Sequence, residues 1–74
     1  MPEPQWRRAS FAFRFCVGEM RVGEVLLPER GSRQVKRLAS CLVNDCWVSR
    51  WHRNVGDAMK WVERSYRESR LEAR

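Results

Sequence analysis

The chain reads as an α+β domain: an antiparallel three- to four-stranded sheet in the order β-β-β-β-α, with one C-terminal helix packed on one face. Three observations carry this reading. Asn44-Asp45 sits between two runs of strand-forming residues, RLASCLV and CWVSRWH, and both residue types tolerate the positive φ angles of a two-residue hairpin turn. From Asn54 onward apolar residues recur at helical spacing, at Val55, Ala58, Met59, Val62 and Tyr66. Nearer the N-terminus Phe11, Phe13, Phe15 and Val17 alternate with Ser10, Ala12, Arg14 and Cys16, the period of a half-buried strand.

Residues 1–8, MPEPQWRR, hold two prolines and no period. They are expected to form a flexible or edge-hugging lead-in to a single domain over residues 9–74, with Trp6 able to fold back onto it. Gly18-Glu19 turns the first strand into a second over Met20–Leu27, in which Gly23 marks a bulge or a bend. Pro28 ends that strand, residues 29–34 (ERGSRQ) form a polar loop, and the third strand begins near Val35. A turn centred on Asn44-Asp45 pairs Val43 with Cys46, Leu42 with Trp47, Ser40 with Ser49 and Leu38 with Trp51. Leu38, Leu42, Trp47 and Trp51 then share one face, and Arg37, Ala39, Cys41, Val48, Arg50 and His52 the other. The first set is larger and more apolar, so it is expected to be the core face roofed by the helix, leaving the arginine-bearing face to solvent. Asn54 is the expected N-cap, and Asp57 complements the helix dipole in the first turn. Past Tyr66 the apolar stripe thins, and the last turn is expected to fray.

Seventy-four residues make one small domain, which the four tryptophans, three phenylalanines and one tyrosine help to stabilise. Dimerisation or a larger partner would add to the buried surface. The formal charge is +6, and arginine dominates, since Lys36 and Lys60 are the only lysines. Guanidinium groups suit phosphate and carboxylate recognition, although codon usage in a high-GC genome produces the same composition. The three cysteines form no CxxC pair, and Cys41 and Cys46 fall diagonally in the hairpin, a poor disulfide geometry. With no signal peptide and no long apolar run, the expectation is a reducing cytoplasm and no membrane span.

Catalytic and metal chemistry find little footing. One histidine excludes a two-histidine metal site within one chain, and Cys41, Cys46 and His52 lack the paired spacing of zinc ligands. No metal or cofactor is expected. Cys41 and His52 share a face but lie too far apart along the strands for proton transfer. The carboxylates are scattered among basic residues, and the GSRQ segment opens no helix that could cradle a phosphate. What remains is non-catalytic binding. The candidate contacts are Arg37, Arg50 and His52 on the outer hairpin face, with Arg14 extending it and Arg30, Arg33 and Lys36 in the adjoining loop. These arginines fit the solvated side of a two-layer domain equally well. Trp61 lies off the helical stripe beside Lys60 and Arg64, either as a core flank or as an anchor for a protein partner.

Over about residues 37 to 66, the strand, short turn, aromatic-ending strand and N-capped helix with DAMKW resemble two groups of proteins. One is the three-stranded-sheet-plus-helix DNA-binding domain of ethylene-response factors and of the arm-binding segments of tyrosine recombinases. That resemblance implies double-stranded nucleic-acid binding through arginines and tryptophans on the sheet. The other is the small accessory proteins of phages and mobile elements, anti-CRISPR proteins among them, which carry a hairpin running into such a helix. It implies a stoichiometric inhibitor in the host cytoplasm that occludes a protein or ribonucleoprotein, and transfers no individual residue. Occlusion is the first expectation, and direct nucleic-acid binding the second.

Overall fold

The computed structural model describes residues 3–28, 33 and 36–72, with backbone alone for 71 and 72. Five strands and one helix follow in order: β1 (Gln5–Arg8), β2 (Ala12–Val17), β3 (Met20–Leu26), β4 (Arg37–Val43), β5 (Cys46–His52) and α1 (Val55–Glu72). The strands form one antiparallel meander in sequence order, and the helix packs against it. The expected class is therefore observed, with one strand more than the three or four expected.

The added strand comes from the proline-bearing lead-in. Trp6 pairs with Phe15 and Arg8 with Phe13, so Gln5–Arg8 forms an edge strand of four residues. Four residues are too few to display an alternation that sequence could reveal. Trp6 fastens this edge to the helix: its indole N–H donates to Glu63 Oε1 at 2.8 Å, and its ring centroid lies 4.8 Å from that of Phe15. Phe15 in turn meets Tyr66 of α1 edge-on at 5.7 Å. The expected loop over residues 29–34 and the strand start at Val35 lie outside the described residues, Arg33 excepted.

The hairpin turn and its register are as the sequence indicates. Asn44 and Asp45 have φ of 50° and 65°, the type I′ geometry whose twist matches flanking strands. Val43 faces Cys46, Leu42 faces Trp47, Ser40 faces Ser49 and Leu38 faces Trp51. Gly18 turns β2 into β3 at φ 62°, and the register between them shifts at Phe15/Cys16. Gly23 opposes Phe15 while Arg21 opposes Cys16, so Val22 is the extra residue of a bulge and is buried in the core.

The assignment of faces is the reverse of the expected one. The helix covers the side bearing Ala39, Cys41, Gly23 and Val25, and the core is Phe15, Val22, Val25, Ala39, Cys41, Ala58 and Val62. Leu38, Leu42, Trp47 and Trp51 lie on the open side. The physical reason is closeness of approach. A Cβ on Gly23 would land inside the van der Waals envelope of Val62 Cγ1, so the α1 backbone rides directly over the sheet. Only small side chains fit beneath a helix at that distance, and two indoles do not. Size matching outweighs hydrophobicity here.

The helix itself follows its sequence signals. Asp57 N–H donates to Asn54 Oδ1 at 2.8 Å, which satisfies one of the free amides of the first turn. Asn54 Nδ2 donates back to Asp57 Oδ2 at 3.4 Å. Ala58 and Val62 are fully buried, while Val55, Met59 and Tyr66 pack around them. Helical structure continues to Glu72, past the expected fraying point, and Ser69 Oγ accepts from the Asn44 amide at 3.1 Å, joining its last turns to the hairpin tip. Among the described residues no helix is long and apolar enough to cross a membrane.

Candidate functional site

The open side of the sheet is ordered by its strand register into three rows. The central row runs Arg7, Arg14, Glu24, Ser40, Ser49, each the register partner of the next. Arg14 Nε lies 3.6 Å from Glu24 Oε1, and Ser40 and Ser49 hydroxyls meet at 2.9 Å. Toward the hairpin tip, a second row holds Gln5, Cys16 and Arg21, then Leu42 and Trp47 beyond the bulge. Arg21 Nη1 also reaches Glu24 at 3.5 Å, and its Cζ sits 5.4 Å from the Trp47 ring centroid. The third row is apolar throughout: Ala12, Leu26, Leu38 and Trp51.

Two features set this face apart from an ordinary solvated surface. Trp47 and Trp51 remain 48% and 52% exposed, and Leu26 42%. Three of the six large apolar residues exposed among the described residues, both exposed indoles included, thus lie on this side; Phe11, Met20 and Val48 lie elsewhere. In addition, Arg7 stands directly opposite Arg14, and Arg14 and Arg21 both reach the carboxylate of Glu24. Like charges facing each other across strands are destabilising, and an anionic partner would relieve that repulsion.

Of the residues expected to form a contact patch, Arg37, Arg50, His52 and Trp61 come together near the start of α1, on the helix side of the hairpin, and Arg14 lies apart from them. Arg14 lies on the open side. Arg37, Arg50 and His52 lie on the helix side, near the start of α1, instead of on an outward face. Arg37 is half-buried and donates from Nη1 to the Lys36 carbonyl at 3.2 Å. Arg50 is exposed along the edge strand. His52 packs against Trp61 at 5.2 Å between ring centroids, and its Nε2 is enclosed with no hydrogen-bond partner. Loss of solvent, and secondarily the Arg50 charge, push the His52 pKa below its ordinary 6.5, with Asp57 opposing. Trp61 packs against the core as a flank, while Lys60 and Arg64 are exposed on the helix. Charged groups on the core side of β4 and β5 are accommodated because they sit where helix cover ends and their stems can lead the charge outward.

Arg7, Arg21, Leu26, Trp47 and Trp51 were not among the expected contacts. The signal that could have found them is the run of small residues Gly23, Ala39 and Cys41, which identifies the side a helix can cover closely. The thiol of Cys41 lies 3.6 Å from the Val62 carbonyl oxygen, to which it donates, and burial pushes its pKa up. Cys46 is exposed at the hairpin tip, and among the described residues no group of three or more potential ligands could hold a metal ion.

No protein-family model, curated protein or solved structure matches this chain.

Proposed function

We propose that the protein is a non-catalytic binding module whose open sheet side takes an unpaired nucleic-acid strand. The observation that carries this is the joint placement of two exposed indoles and three arginines on the side opposite the helix. Indoles provide stacking platforms for bases, and guanidinium groups provide phosphate contacts and charge-driven affinity. A net charge of +6 favours the same partner.

Width argues for an unpaired strand over a duplex. Five strands at a spacing of about 4.8 Å span roughly 19 Å, whereas the DNA major groove is about 12 Å wide. A sheet side of that breadth does not enter the groove, but a single strand can cross it. Trp47 and Trp51 are separated by about 13 Å along β5, a distance that leaves room for intervening bases.

The test is a fluorescence-anisotropy titration with labelled single-stranded and duplex oligonucleotides at two salt concentrations. Single strands are expected to bind more tightly than duplex, with affinity falling steeply as salt rises. Stacking is worth about 1–3 kcal/mol per base, so Trp51→Ala should weaken binding by roughly 5- to 150-fold. Absence of binding to either oligonucleotide at low salt would refute the proposal.

A second reading rests on the apolar row. Leu26, Leu38 and Trp51 form a strip without charge, a composition that suits the centre of a protein–protein interface. On that reading the chain is an inhibitor of phage or mobile-element type that occludes a protein or ribonucleoprotein. It predicts a stoichiometric protein complex whose affinity depends on Leu26 and Trp51 and changes little with salt.

A further inference from the structure

The two edges of the sheet are built differently. β1 is four residues long, follows Pro4 and carries Arg7 and Arg8, all devices that discourage further strand pairing. β5 is seven residues long, contains no proline and no lysine, and exposes Trp47, Val48 and Trp51. Such an edge is a template for another strand.

The hydrogen-bonding parity of β5 says which residues offer that template. Residues flanking a two-residue turn form a hydrogen-bonded pair, and such pairs alternate with non-hydrogen-bonded ones along the ladder. Val43 and Cys46 flank the turn, so Cys46, Val48, Arg50 and His52 direct their backbone groups toward β4. The 2.9 Å approach of the Ser40 and Ser49 hydroxyls fits this parity, because side chains come closest in non-hydrogen-bonded pairs. The outward amides and carbonyls are those of Trp47, Ser49 and Trp51. They are symmetric about Ser49.

We infer that β5 pairs with β5 of a second copy, antiparallel, about a two-fold axis through Ser49. This register faces Ser49 with its own counterpart and Trp47 with the partner subunit's Trp51, in both directions. Every outward backbone group of the three residues finds a partner, which amounts to about six hydrogen bonds. Each indole pair forms an aromatic cross-strand contact on the open side. On the helix side Val48 faces the partner's Arg50, whose aliphatic stem can cover it while the charge reaches solvent. The helices do not obstruct the joint. α1 lies mainly over β4 and β3, and the two β4 strands would be about 14 Å apart, more than the 8–10 Å of packed helices. The indoles stay on the open side, so the dimer is compatible with the proposed nucleic-acid contact and independent of it.

Charge supplies a way to separate the two. Each copy carries +6, so added salt screens repulsion and tightens the dimer, whereas salt weakens nucleic-acid binding. Sedimentation equilibrium of the intact chain at about 100 μM should show a monomer–dimer equilibrium, with more dimer at about 0.5 M than at about 0.05 M salt. Ser49→Pro removes an outward N–H and the exposed hydroxyl contact with Ser40 but no backbone bond of the β4 ladder, so it should remain folded by circular dichroism and become monomeric. Val48→Pro, by contrast, removes an inward N–H and should unfold the hairpin. A Cys46→Ser, Ser49→Cys double variant should crosslink to itself with diamide, since paired Cα atoms about 5.5 Å apart lie within disulfide reach. A wild-type chain that stays monomeric at high salt, including one that pairs only with a foreign strand, overturns the inference. So does a Ser49→Pro variant that dimerises as the wild type does.

Discussion

Gly23 is the residue on which the layering turns. Its missing side chain admits Val62, and Phe15 Cβ and the Ser40 carbonyl close the space on the other sides at 3.3 and 3.4 Å. Gly23→Ala is expected to destabilise the fold by about 1–3 kcal/mol through overpacking, as read by chemical denaturation. Because the clash is with Val62, combining it with Val62→Ala should cost less than the two single changes added together. His52 gives a pH signature. Its pKa in the folded state lies below 6.5, because burial and Arg50 disfavour the imidazolium. The stability it contributes is present above the unfolded value and is lost as pH falls through that value toward the folded one. Denaturation midpoints should therefore drop between about pH 7 and pH 5, and His52→Phe should flatten that part of the profile. The cysteines offer a third check: alkylation of the native protein should reach exposed Cys46 and spare Cys16 and Cys41 until unfolding.

At the scale of elements, the hairpin and helix carry their instructions locally. Asn44-Asp45 specifies a turn with positive φ, period-2 alternation specifies the pairing, and Asn54 caps the helix that follows. These were legible because each depends on residues a few positions apart. The side of the hairpin that α1 covers depends on the fit between Val62 and Gly23, nearly forty positions apart, and no local period records it. Hydrophobicity alone pointed to the wrong side, since large apolar residues are not confined to interiors. β1 escaped notice for a related reason: four residues become a strand only by pairing with β2 and by the Trp6–Glu63 bond to the helix. On the open side, Ala12 and Cys16 are buried, but Trp47 and Trp51 remain about half exposed. Trp47→Ala and Trp51→Ala are expected to change stability by no more than about 1 kcal/mol. Comparable truncation of Phe15, which is buried between Trp6 and Tyr66, should cost about 3–5 kcal/mol.

For the molecule as a whole, the consequence is a division of labour between the two sides of one sheet. The side of small residues is closed by the helix, and the side of indoles and arginines remains available, with an uncovered edge along β5. The candidate contacts that sequence placed on the hairpin's arginine-bearing face, Arg37, Arg50 and His52, gather on the helix side, and Arg14 alone among the expected contacts belongs to the open side. The most direct measurement uses a Trp6→Phe, Trp61→Phe variant, so that emission comes from Trp47 and Trp51 alone. In the free protein this emission should be red-shifted and readily quenched by acrylamide, and a single-stranded oligonucleotide should protect it from the quencher. Emission that is blue-shifted and resistant to acrylamide before any ligand is added, or unchanged by the oligonucleotide, would contradict the account.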